Sequence, residues 1–197
     1  MTKVYIADVT CLGDSALYQK AYASVSPDRQ AKADALVQQE DKFRSVGAGL
    51  LLGLAAEAAY TNLSHSGNYA ICVASDHPVG CDIEQINPSV NLKLARRFFT
   101  EGEADFVSAS DNSVETFFRL WTLKESFMKC LGQGFARPLN SFEIGFEDGK
   151  AKSLIEADGT PYFFLESDLV TGYRVSICQG NLEDAVEYET INLKNLF

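Results

Sequence analysis

The chain has no apolar run approaching the roughly 20 residues that a membrane span requires, and the apolar stretch of its amino terminus, MTKVYIADVT, is too short for a signal peptide. A cytoplasmic protein with no membrane partner is expected. Its five cysteines, Cys11, Cys72, Cys81, Cys130 and Cys178, form no Cys-x-x-Cys pair, and an odd number cannot all pair internally. Several lie in apolar strand-like runs, where a reduced thiol behaves as a small hydrophobe, so a reducing compartment fits best. With only two histidines and no Gly-x-Ser-x-Gly elbow, the chain does not read as a hydrolase built on a catalytic triad. Cations are also scarce. Against 27 Asp and Glu there are 17 Lys and Arg, and the net charge of −10 argues against wholesale binding to nucleic acid or an anionic membrane. An anionic ligand has to be held by a small local cluster of cations.

At 197 residues, 46% hydrophobic and 22% charged, the chain suffices for one large domain or two small halves with proper cores. A first strand is read over Lys3 to Val9. Ser26, Pro27 and Asp28 mark a helix start, and an Ala- and Leu-rich helix follows over about Asp41 to Tyr60. Strands over Tyr69 to Ala74 and Val79 to Glu84, joined by Ser75-Asp76-His77-Pro78, read as a hairpin. A helix over Leu92 to Phe99 comes next, then a capping box at Thr100 and Glu103, and the pattern repeats at Asn112 and Glu115 before a long helix, Val114 to Leu131, that stops at Gly132. Short antiparallel strands are expected over Ser141 to Phe146, Lys152 to Glu156, Tyr162 to Leu165 and Tyr173 to Gln179, with turns at Asp148-Gly149 and Asp158-Gly159. A weak echo links Gly67-Asn-Tyr69-Ala-Ile71-Cys72 to Gly172-Tyr173-Arg-Val-Ser-Ile177-Cys178. It points to two halves of similar helix-plus-sheet design.

Two stretches carry chemistry. In RLWTLKESFMK, Glu125 and Lys129 stand four apart on one helix face; in GCDIE, Asp82 and Glu84 stand two apart on one side of a strand. Each pattern alone is commoner as a solvated face or a surface ion pair. Here Asp82 is flanked by Cys81 and Ile83, and Glu125 sits among Phe, Leu and Met, so the charges are expected near a buried junction where they need a partner. Three convergent carboxylates and an amine suit a hard divalent cation beside a phosphate. Ser64-His65-Ser66-Gly67 reads either as a loop entering a strand or as a turn offering hydroxyl, imidazole and backbone N–H groups to a phosphate.

Taken in order, Leu63-Ser-His-Ser-Gly67, Val79-Gly-Cys-Asp-Ile-Glu84, Arg96-Arg-Phe-Phe99 and Leu120-Trp-Thr-Leu-Lys-Glu-Ser-Phe-Met-Lys129 closely resemble the surfactin-type 4′-phosphopantetheinyl transferases. The likeness starts near Ser26-Pro27 and runs on into Gly132-Gln-Gly134 and Pro138-Leu-Asn-Ser-Phe142. It implies an α/β (α+β) fold of two similar halves, 1–86 and 87–197, each a small antiparallel sheet with packed helices, related by a pseudo-twofold with the active site between them. It further implies a monomeric enzyme that moves the phosphopantetheine arm of coenzyme A onto a serine of an apo acyl or peptidyl carrier protein, releasing adenosine 3′,5′-bisphosphate. Carried over by residue, Asp82, Glu84 and Glu125 would hold Mg²⁺. Glu125 would take the serine proton, and Lys129 would stabilise phosphate charge. Ser64 and His65 would contact the nucleotide and its phosphates, with Arg29, Lys32 and Arg44 near the 3′-phosphate. The chain departs from the family in one place: Ala59-Tyr60-Thr61-Asn62 runs straight into Leu63, where relatives carry a longer segment with a Gly-Lys-Pro-aromatic stretch. The alternatives are a coenzyme A-binding homologue that has lost transfer, or an interaction module whose acidic cluster is structural.

Overall fold

The structure, a computed structural model, describes residues 1–132, 137–181 and 185–197. Hydrogen bonding sorts its strands into separate sheets, and the chain forms two units, Met1–Asp76 with Asp184–Phe197, and His77–Glu183.

In the first unit β1 (Thr2–Asp8) is followed by three helices, α1 (Ser15–Ser24), α2 (Pro27–Asp34) and α3 (Gln39–Leu54), then by the hairpin of β2 (Tyr60–Ser66) and β3 (Tyr69–Ser75). The helix starts are local events: the Asp14 side chain accepts from Leu17 N at 2.9 Å, and the Ser26 hydroxyl accepts from Arg29 N at 3.3 Å with Pro27 at the first helical position. α1 was not read in the sequence. The strand order is β10-β1-β3-β2, in which β10 (Val186–Thr190) runs parallel to β1 and the other pairs are antiparallel. The core gathers Leu12, Ala21, Val46, Leu51, Cys72 and Leu193 between the helices and this sheet.

In the second unit β4 (Val79–Gln85) leads into α4 (Lys93–Phe98), α5 (Glu101–Ala109) and α6 (Ser113–Leu131). Thr100 and Glu103 form the expected capping box on α5, the Asn112 side chain accepts from Glu115 N, and α6 ends where Gly132 turns left-handed at φ 66°. After α6 come β5 (Phe146–Glu147) and β6 (Lys150–Ala151), joined by the positive-φ pair Asp148-Gly149, then β7 (Leu154–Ile155), β8 (Pro161–Ser167) and β9 (Tyr173–Gln179). The main sheet has the order β4-β9-β8-β7. Phe117, Leu120, Leu123 and Phe127 of α6 form the core with Phe99, Phe142 and Cys178.

Each unit therefore repeats one plan: a strand, a set of helices, then a hairpin whose second strand lies beside the first. The echo noted in the sequence falls on β3 and β9, which hold equivalent places in that plan. Mixed helices and small sheets agree with the α/β expectation. Several details differ. Residues 69–84 are not a hairpin, because β3 pairs with β1 and β2 while β4 pairs with β9. A split after residue 86 would therefore cut β4 from its own sheet, and the carboxyl-terminal strand returns to the first unit. The Ala-rich helix stops at Leu54, and residues from Tyr60 are strand. Of the strand expected over Ser141 to Phe146, Ser141 closes a 3₁₀ turn, Leu139–Ser141, and only Phe146 is in a strand, β5. Gln133 and Gly134, part of the resemblance, lie outside the described residues. Among the described residues no helix is long and apolar enough to cross a membrane.

Candidate active site

The site in the second unit begins with an absence. A Cβ on Gly80 would stand 2.1 Å from the Ser126 carbonyl oxygen and 2.4 Å from Cys130 N, so β4 and α6 touch backbone to backbone there. No other residue permits that approach. It sets Asp82, two residues along β4, beside the last turns of α6. A second clasp holds the helix on the sheet, the buried hydroxyls of Thr122 and Ser176 meeting at 2.9 Å. Sequence reasoning gave neither Gly80 nor this pair a role, although a glycine inside an otherwise apolar strand is itself a signal of close approach.

Asp82 is 4% exposed, and its Oδ1 accepts from Lys129 Nζ at 2.7 Å. The same ammonium donates to the Cys81 carbonyl at 3.1 Å. Burial alone would pull the Lys129 pKa down, but the charges of Asp82 and Glu125 and the hydrogen bond to Asp82 outweigh it, so Lys129 sits above the ordinary lysine range. Glu125 is partly buried, one turn before Lys129. Burial raises its pKa first, the Asp82 charge raises it further, and Lys129 offsets part of the rise. Glu84 shares the Asp82 face of β4, stands opposite Arg174 in the ladder and is partly exposed. Arg174 itself pairs with Asp168 at 2.8 Å and with Glu115.

The structure thus brings Asp82, Glu125 and Lys129 together, with Glu84 two residues along the strand. Among the described residues no three His, Cys, Asp or Glu side chains are already grouped to hold a metal ion. The donor set is nevertheless all carboxylate oxygen, and the Asp82 charge felt at Glu125 is the repulsion that a divalent cation relieves. Asp82 can serve both partners, since a carboxylate offers about four acceptor positions.

Beside the cluster lies a cavity of about 720 Å³, lined by Arg97, Phe98, Trp121, Met128, Leu139 and Asn140 together with Glu125 and Lys129. Its walls are mostly apolar, with four ionisable side chains among them, Glu125, Lys129, Arg97 and Arg137.

The other expected residues lie in the first unit. The Arg29 stem crosses α3 at Gly49, where a Cβ would stand 2.6 Å from Arg29 Cγ. Burial lowers the pKa of its guanidinium. Lys32 is exposed in the last turn of α2. Arg44 Nη1 donates to the Gly67 carbonyl at 2.8 Å, and Nη2 pairs with Asp41. Arg44 is thereby fixed at the β2–β3 turn. Ser64 and His65 belong to strand β2, so their side chains point to opposite faces, Ser64 buried and His65 exposed. The reading of both at a single turn is corrected: the turn is Gly67-Asn68, and the strand separates hydroxyl from imidazole.

Comparison with known proteins agrees with this geometry. The family model of the 4′-phosphopantetheinyl transferase superfamily matches residues 78–178, from the start of β4 through β9. The chain belongs to that superfamily. It is 38% identical over 119 residues to the 4′-phosphopantetheinyl transferase gsp of Aneurinibacillus migulanus, covering 59% of this chain and 50% of the relative. With Sfp of Bacillus subtilis (strain 168) it shares 35% over 126 residues, covering 62% and 56%. With psf-1 of Bacillus pumilus it shares 32% over 165 residues, covering 82% and 70%. The matches to the first two span only about half the length of those relatives.

Proposed function

We propose that the protein transfers the 4′-phosphopantetheine moiety of coenzyme A to a serine of an apo acyl or peptidyl carrier protein, with adenosine 3′,5′-bisphosphate leaving. The observation that carries this reading is that Glu125, its pKa raised by burial and by Asp82, and a charged Lys129 one helical turn on both line a mostly apolar cavity. The cavity suits the pantetheine chain, and the names of the similar proteins support the reaction type.

A serine hydroxyl is a poor nucleophile near neutral pH and needs a base within reach. Glu125 takes that proton, directly or through a water. As the serine oxygen bonds to the phosphorus that carries the pantetheine, the bond to the bridging oxygen breaks and its electron pair leaves with the bisphosphate. Lys129, already oriented by Asp82 and the Cys81 carbonyl, offers fixed positive charge to the phosphate oxygens in ground and transition states. Asp82, Glu84 and Glu125 would hold Mg²⁺, whose chemistry there is to neutralise the pyrophosphate. Arg29, Lys32 and Arg44, with Ser64 and His65, are assigned to the nucleotide and its phosphates. A soluble monomer acting in the cytoplasm is the expected setting, and an odd number of cysteines with no Cys-x-x-Cys pair supports a reducing one.

The test is intact mass measurement of apo carrier proteins from fatty acid, polyketide and nonribosomal peptide systems after incubation with coenzyme A and Mg²⁺. A gain of one phosphopantetheine is expected on at least one of them. Glu125→Gln should transfer about 10²- to 10⁴-fold more slowly in single turnover while binding coenzyme A nearly normally. Coenzyme A binding without transfer to any carrier would instead indicate a homologue that has lost the reaction. No binding at all would point to an interaction module.

A further inference from the structure

Lys124, next to Glu125 in sequence, is fully buried, and its role is not catalytic contact. Its ammonium has three protons, and the structure gives each an acceptor: the Leu139 carbonyl at 2.9 Å, the Phe142 carbonyl at 2.6 Å and Glu103 Oε2 at 2.8 Å. The charge also lies 4.2 Å from the centre of the Phe142 ring. Glu103 is equally enclosed. Its Oε2 also accepts from Thr100 N at 2.9 Å, and its Oε1 accepts from Ile144 N at 2.8 Å. One buried ion pair therefore ties α6, the start of α5 and both ends of the Leu139–Phe142 segment together.

A buried ion pair is costly to desolvate, and apolar residues of the same size often serve stability as well or better. What apolar residues cannot do is hold two backbone carbonyls of an irregular turn. That turn matters, because Leu139 and Asn140 form part of the cavity that Glu125 and Lys129 also line. We infer that Lys124 is a positioning residue: anchored by Glu103, it fixes the Leu139–Phe142 segment against α6 and so sets the cavity wall against which the pantetheine chain lies. The ligand named here rests on the proposed transfer function; the anchoring does not.

The experiment compares wild type, Lys124→Met and the double variant Glu103→Gln/Lys124→Met. The double variant leaves no uncompensated charge and keeps an amide oxygen for the α5 cap. By hydrogen exchange, amides of residues 139–142 should exchange at least about tenfold faster in both variants, with β8 and β9 unchanged. Calorimetry then compares coenzyme A with adenosine 3′,5′-bisphosphate, which lacks the pantetheine chain. The preference for coenzyme A should shrink about tenfold in the double variant while affinity for the bisphosphate holds. Unchanged exchange at 139–142 would overturn the anchoring, and an equal loss of both ligands would overturn the positioning role in favour of a purely structural one. A wild type that does not prefer coenzyme A would overturn the pantetheine assignment and with it the proposed function, whatever exchange reports about the turn.

Discussion

Glu125 carries its character in its surroundings rather than in its identity. Its pKa is raised in the folded protein, so between the ordinary carboxylate value and the raised one the native state holds more protons than the unfolded state. Stability must then fall as pH rises through that window. Glu125→Gln is expected to be more stable than wild type at pH 7 in chelator-treated buffer, with the gain shrinking as pH is lowered toward the unfolded value. Melting temperatures across that range would show it, and a constant offset would refute it. The cysteines offer a second check. Burial pushes Cys72 up to about 12 and Cys178 well above the ordinary thiol value, whereas Cys11 is partly exposed. Alkylation of the native protein at mild alkaline pH, read by peptide mass, should label Cys11 first, with Cys72 and Cys178 protected until the protein unfolds. At this scale the sequence was partly legible: the spacing of Glu125 and Lys129 put them on one helix face. It could not reveal that Lys129 would turn to Asp82, since that contact joins residues far apart in the chain through the meeting of β4 and α6.

Among the elements, helix starts were the easiest to read, because a cap is written within four consecutive residues. The α5 box is a case in point. Thr100→Ala removes the hydroxyl that accepts from Glu103 N and also donates to Glu143 Oε2 at 2.8 Å, and about 1 kcal/mol of stability should go with it. Denaturant titration would measure the loss, and no change would mean that the Glu103 side chain caps the helix alone. Strand pairing was harder. β3 and β4 are both apolar and nearly adjacent, which is what a hairpin looks like in one dimension. The true partner of β4 is β9, supplied after three helices and four intervening strands, and no local signal encodes it. The Ala-rich helix is read about six residues too long, up to Tyr60 where β2 begins, for a related reason: only the five residues between Leu54 and Tyr60 separate the elements.

For the molecule as a whole, the duplicated plan was foreshadowed by the echo between Tyr69 and Tyr173, but the return of the carboxyl terminus to β1 was not. That return is structural. β10 pairs along β1, and Leu193, 1% exposed, sits in the first unit's core near Gly47. Truncation before Val186 should lower stability by at least the roughly 2–5 kcal/mol of losing a buried leucine. Hydrogen exchange should show β1 affected and β8 spared; equal deprotection of both would contradict the separation of the sheets. Gly80 bears on how the molecule varies. An added methyl there meets main chain on both sides, so Gly80→Ala should cost about 3 kcal/mol, read by denaturation, and a loss under about 0.5 would mean that β4 can retreat. In a scan of every substitution at every position, the deepest intolerance would then include a residue that touches no substrate and bears no functional group. Lineages of this protein could rework the cavity and exchange cations such as Arg29, Lys32 and Arg44 while that one position stayed closed to change.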